Sequence, residues 1–149
     1  MSGLLVVREL VSRDLPGLLS LYGDLHAEDA EVDAARAREV WGEILADRKQ
    51  IYLGGFVDEQ LIAACNASIA PNLTRGCRPF AVIENVVTAA THRRRGYGAV
   101  VMRELIERCW ARNCYKVMLM SAAARNAAHE FYEALGFDRT SKQAFVIKR

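Results

Sequence analysis

Apolar and polar positions along this chain follow two rhythms, and the change between them marks its elements. Residues 5–10 carry enough Leu and Val for a first strand. Leu15, Leu18, Leu19, Tyr22 and Leu25 then recur at helical spacing, which predicts a helix capped by Ser12 with Pro16 near its start. A second helix is expected after Asp33, with Ala37, Val40, Trp41, Ile44 and Leu45 on one face and charges on the other. Residues 50–57 and 61–70 are strand-like, and Asp58-Glu59-Gln60 between them is short enough for a hairpin turn. Residues 71–79 hold the prolines, glycine and asparagine of a loop.

After that loop the expected order is strand, helix, strand, helix, strand. Residues 80–88 form the first strand, and 98–112 a helix with Val101, Leu105, Ile106, Cys109 and Trp110 on one face. Residues 115–120 form the next strand and 126–135 a short helix ended by Gly136, the usual residue for a left-handed position after a helix. Residues 137–147 are expected to return as a strand, broken by polar residues in the middle. No repeats appear, so the pattern reads as a mixed α/β (α+β) layer fold with helices covering a largely antiparallel sheet.

At 149 residues, 52% of them hydrophobic, the chain is expected to be a single domain over 1–149 with a proper core. A net charge of +2, from 20 basic and 18 acidic residues, gives no global field towards nucleic acid or a membrane surface. No apolar stretch approaches the length of about 20 residues that spans a bilayer, and the segment from Met1 to Glu9 lacks a cleavable signal pattern. A soluble, cytoplasmic protein is therefore expected. Cys65, Cys77, Cys109 and Cys114 are scattered without metal spacing and read as small buried hydrophobes, and His26, His92 and His129 form no metal pattern. No metal is expected.

The segment Val86-Val87-Thr88-Ala89-Ala90-Thr91-His92-Arg93-Arg94-Arg95-Gly96-Tyr97-Gly98-Ala99 joins a strand end to a basic, glycine-punctuated turn that opens a helix. Such a turn is an anion cradle, because the first N–H groups of a helix lack intrahelical partners and lie at the positive end of its dipole. Gly96 and Gly98 permit close approach, and the arginines add fixed charge. It is not a P-loop, since no Lys follows Gly98, nor a dinucleotide fingerprint, whose third glycine position is held by Val101. The other reading is a plain strand-to-helix turn with solvated arginines.

Arg93, Gly96 and Gly98 form an Arg-x-x-Gly-x-Gly run after a strand, which resembles the acetyl-CoA pyrophosphate-binding motif of the GNAT superfamily of N-acetyltransferases. The segment Asn126-Ala127-Ala128-His129-Glu130-Phe131-Tyr132-Glu133-Ala134-Leu135-Gly136-Phe137 resembles that superfamily's second signature. The resemblance covers most of the chain. It implies a central, largely antiparallel mixed sheet of six to seven strands flanked by about four helices. Ile83-Glu84-Asn85-Val86-Val87, Cys114-Tyr115-Lys116-Val117 and Phe131-Tyr132-Glu133 are similar to the glucosamine-6-phosphate N-acetyltransferases, which are small homodimers. Those enzymes carry an acidic residue where this chain has Met120, which argues for a different amine.

What the resemblance implies is an acetyl-CoA-dependent acyltransferase moving acetyl to a primary amine of a small molecule, directly, in a ternary complex. Val86, Val87 and Thr88 would hold the pantetheine arm like an added strand, with the Val87 N–H polarising the thioester carbonyl. Arg93, Arg94, Arg95, Gly96, Tyr97, Gly98 and Ala99 would cradle the pyrophosphate. Asn126 is either a further cofactor contact or a helix cap.

Glu84 lies in the apolar run Phe80-Ala81-Val82-Ile83-Glu84-Asn85-Val86-Val87, where a dehydrated carboxylate would suit a general base; it otherwise faces solvent or pairs with an arginine. Tyr132 is the candidate general acid for the departing thiolate, with a core position as its alternative. Competing functions are a glucosamine-6-phosphate N-acetyltransferase proper and a non-catalytic acetyl-CoA-sensing module. Nucleic-acid binding through Arg93, Arg94 and Arg95 lacks aromatic interleaving and a wider basic face.

Overall fold

A computed structural model describes residues 3–149; Met1 and Ser2, the start of the segment read for a signal pattern, lie outside the described residues. The elements run β1 (Val6–Glu9), a 3-10 turn (Ser12–Asp14), α1 (Leu15–Leu25), α2 (Ala34–Ala46), β2 (Gln50–Val57), β3 (Gln60–Ala70), β4 (Phe80–Thr88), a second 3-10 turn (Ala90–His92), α3 (Tyr97–Ala111), β5 (Val117–Leu119) and α4 (Asn126–Ala134). One sheet in the order β1-β2-β3-β4-β5 is antiparallel except for the β4–β5 pair, as expected of a mixed sheet.

Alternation along the strands divides the core into two layers. Leu53, Cys65, Ala67 and Ile83 bury one face against Val101, Met102, Leu105 and Cys109 of α3, with Phe131 and Tyr132 of α4 and Leu135 just after it partly buried beside them. Ala64, Phe56 and Val87 bury the other face against Leu15, Leu18 and Leu21 of α1 and Trp41 of α2. The β2–β3 hairpin needs only two turn residues, Asp58 and Glu59, both left-handed at φ +48° and +65°. That is the type I′ geometry whose twist matches the strands.

Three expectations need correction. Ser12 does not cap α1: it lies inside a 3-10 turn, and the Asp14 carboxylate accepts from the Val11 N–H at 2.7 Å instead. Cys77 is exposed in the β3–β4 loop, whereas Cys65, Cys109 and Cys114 are buried. The stretch 137–147 forms no strand, so among the described residues the sheet has five strands rather than six or seven. Asp138 folds this stretch into a local turn by accepting from the Thr140 N–H at 2.8 Å, and Phe145, Val146 and Ile147 stand exposed beyond it. Short polar side chains that bond their own backbone compete in this way with a strand ladder.

Candidate active site

The site is built where two neighbouring parallel strands part. β4 pairs with β5 only from Ala81↔Val117 to Ile83↔Leu119, while β4 itself runs on to Thr88. Glu84 to Thr88 therefore lie past the end of the β5 ladder, leaving about 17 Å of strand edge open to an extended ligand. Within this stretch the β3–β4 register shifts between Ala64↔Val87 and Asn66↔Glu84, so Asn85 and Val86 together oppose Cys65. Asn85 takes φ +52° at this bulge, and its side-chain amide donates to Asn66 at 3.4 Å. Sequence reasoning gave Asn85 no role. Its signal was an asparagine, a residue tolerant of left-handed backbone, in the middle of an apolar strand.

At the far end of the notch stands the anion cradle. Arg94 and Gly96 are left-handed at φ +61° and +80°, and Gly96 is the N-cap of α3. The chain thus turns so that the first N–H groups of α3 face outward past Tyr97, Gly98 and Ala99. A Cβ on Gly98 would lie 2.9 Å from Thr88 Oγ1, so β4 and α3 meet there with no room for a side chain. Arg93 turns back and donates to the Thr88 carbonyl at 3.1 Å, bracing the turn. Arg94 and Arg95 are exposed beside it. Outward N–H groups, a left-handed turn and two exposed guanidiniums fit a pyrophosphate.

The candidate acid and base lie on two different elements, Tyr132 on α4 and Glu84 on β4. Tyr132 is half-buried on α4, its ring edge-on to Phe131 at 5.3 Å and to Phe137 at 6.1 Å. Burial pushes its phenol above the ordinary range; Arg125 pulls it back, and Cys65 and Glu84 push it up. Glu84 is thus near enough for its charge to act on the phenol. The core reading of Tyr132 is met by its packing against Phe131 and Phe137. Glu84 itself is exposed, so the dehydration expected of it is absent in the free protein. Asn126 is exposed as the first residue of α4, and the cap position falls to Arg125, so it is not the helix cap. Among the described residues no cluster of three or more His, Cys, Asp or Glu is placed to hold a metal ion.

Comparison with known proteins identifies the family. A family model described as the acetyltransferase (GNAT) family matches residues 10–137. A glucosamine 6-phosphate N-acetyltransferase of Trypanosoma brucei brucei is 33% identical over 84 residues, covering 56% of this chain and 55% of that protein. The chain spans about half the length of that relative. Glucosamine 6-phosphate N-acetyltransferase 1 of Oryza sativa subsp. japonica is 29% identical over 127 residues, 85% of this chain and 74% of that one. Among solved structures, a putative acetyltransferase from Agrobacterium tumefaciens str. C58 superposes with a TM-score of 0.93 at 40% identity, covering 97% of this chain and 99% of that one.

Proposed function

The chain belongs to the acetyltransferase (GNAT) family, whose members use acetyl-CoA, and from that premise we propose that it transfers acetyl directly to the primary amine of a small molecule within a ternary complex. Acetyl-CoA supplies the acetyl group as a thioester and departs as the thiol. Val86, Val87 and Thr88 hold its pantetheine arm along the open edge of β4; the Val87 N–H faces β3, where Val87 pairs with Ala64, and does not reach the thioester carbonyl. Arg94 and Arg95, with Gly96, Tyr97, Gly98 and Ala99, hold the pyrophosphate, Arg93 braces their turn, and Asn126 adds a contact from α4.

The observation that supports the mechanism is the open edge of β4 beyond the β5 ladder, which begins at Glu84. Glu84 takes a proton from the ammonium form of the substrate, directly or through one water. Its carboxylate is solvated in the free protein, so its dehydration has to come from the amine and cofactor that cover it. Tyr132, raised above its ordinary range, stays protonated at neutral pH and donates to the departing thiolate.

Glu84→Gln is expected to lower kcat and remove the acidic limb of the pH–rate profile while leaving acetyl-CoA affinity unchanged. Tyr132→Phe should lower kcat on the order of 100-fold. An unaltered profile in the first variant removes Glu84 from the mechanism, and wild-type turnover in the second returns Tyr132 to packing alone.

The names of the curated relatives favour a second reading, a glucosamine-6-phosphate N-acetyltransferase proper. Against it stands Met120, 55% exposed just past β5, because a thioether cannot take over the work of a carboxylate. A non-catalytic acetyl-CoA sensor would need no acid–base pair. The proposal also carries a cytoplasmic homodimer, supported by the exposed closing segment; none of the described helices is long and apolar enough to cross a membrane.

A further inference from the structure

A cavity of about 240 Å³ lies between α1, α2 and β2, walled by Leu18, Tyr22, Ala37, Trp41, Ile44 and Tyr52. It is larger than the cavity of about 150 Å³ that takes up benzene in an engineered protein core. Its lining carries two polar atoms with no hydrogen-bond partner, the Tyr22 hydroxyl and the Trp41 Nε1. Trp41 is only 4% exposed, and its ring stands edge-on to Tyr52 at 5.3 Å. Burial pushes the Tyr22 phenol up, which keeps it a donor. A buried donor without a partner is costly, so two in one cavity wall point to an occupant that brings an acceptor. Val32, 54% exposed, stands at the rim and leaves a way in.

The sheet connects this cavity to the site. Tyr52 on β2 is the direct partner of Asn66 on β3, which is the direct partner of Glu84 on β4. Direct cross-strand partners point to one face of a sheet, so the cavity wall and the candidate base share a face two strand spacings apart, about 10 Å. From this juxtaposition we infer that the amine acceptor carries an aromatic or branched apolar body with an oxygen acceptor on it, seated between α1 and α2 while its amine reaches Glu84. The inference rests on the acetyl-transfer reading and narrows its substrate class to amphiphilic amines.

The test uses phenylalkylamines with two to six methylenes, each with and without a para-acetyl group on the ring. They are titrated into the full chain carrying Trp110→Phe, which leaves Trp41 as the single indole. Trp41 emission is expected to respond saturably, with affinity rising along the series as the linker approaches the 10 Å span. Ala37→Leu, which fills the cavity, should weaken binding at least tenfold. Tyr22→Phe should weaken only the acetyl-bearing probes, about tenfold, because a structural role would lower both sets alike. Acetyl transfer to the same amines, followed as CoA release, should rise in the same order. A silent Trp41, or affinity unchanged by Ala37→Leu, overturns the inference. Efficient transfer to glucosamine 6-phosphate with no Trp41 response overturns it while leaving the enzyme standing. Trp41 binding with no acetyl transfer to any amine instead sinks the acetyl-transfer reading, and with it the assignment of the cavity to a substrate.

Discussion

Gly96 and Gly98 sit two residues apart and do different work. Gly96 has φ +80° with open space where a Cβ would go, so Gly96→Ala meets only backbone strain of about 1–2 kcal/mol. Gly98 has the contrary problem, because any side chain collides with Thr88 Oγ1 at the strand end. Acetyl-CoA is expected to raise the Tm of the wild-type protein, and Gly98→Val should abolish most of that rise while Gly96→Ala keeps a reduced one. Calorimetric binding by the valine variant at wild-type affinity would contradict the cradle. The Gly-x-Gly spacing was legible in the sequence because it states a backbone requirement. The destination of Arg93 was not, since a long side chain's partner is chosen by the folded surface, here the Thr88 carbonyl. Glu84 shows the same limit: its apolar neighbours suggested burial, but alternation put it on the exposed end of its face.

At the level of elements, the junction between β1 and α1 hangs on Asp14. Its carboxylate accepts from both terminal guanidinium nitrogens of Arg8, at 2.7 and 3.0 Å, besides the Val11 N–H. The Arg8 hydrogen bonds hold the Asp14 carboxyl below its usual range against the opposing effect of burial. A folded value below the unfolded one gives stability that is complete above about pH 4 and is lost as pH falls through the lowered folded value. Asp14→Asn is expected to cost about 1–2 kcal/mol at neutral pH, a figure kept low because Arg8 is one-third exposed. Urea melts should show that gap closing in acid, and a gap independent of pH would deny the pair its role. Periodicity disclosed β2, β4 and both long helices to within a residue or two, because one buried face writes its period into the chain. It misplaced the cap of α1, where serine and aspartate compete two residues apart. It also read the 137–147 stretch as a strand, because β-forming residues there have no sheet neighbour to complete them.

Seen whole, the molecule separates its tasks by sheet face, with α3 and its packing on one side and the α1–α2 cavity on the other. Opposite substrate expectations follow from that division and from Met120. Glucosamine 6-phosphate should be a poor acceptor, by at least tenfold in kcat/KM against the best amphiphilic amine, and parallel steady-state assays of the two decide it. The family match ends at residue 137, and Phe145, Val146 and Ile147 stand 90%, 62% and 99% exposed beyond it. Removing residues 141–149 is expected to leave the circular dichroism spectrum and Tm nearly unchanged but to convert the proposed dimer to a monomer on sedimentation. A dimer that survives the truncation would place the subunit contact elsewhere. The exposed segment also has a practical consequence at the bench. An affinity handle fused after Arg149 would hang from the very residues proposed for the subunit contact, so preparations tagged at opposite ends should differ in how their specific activity changes on dilution.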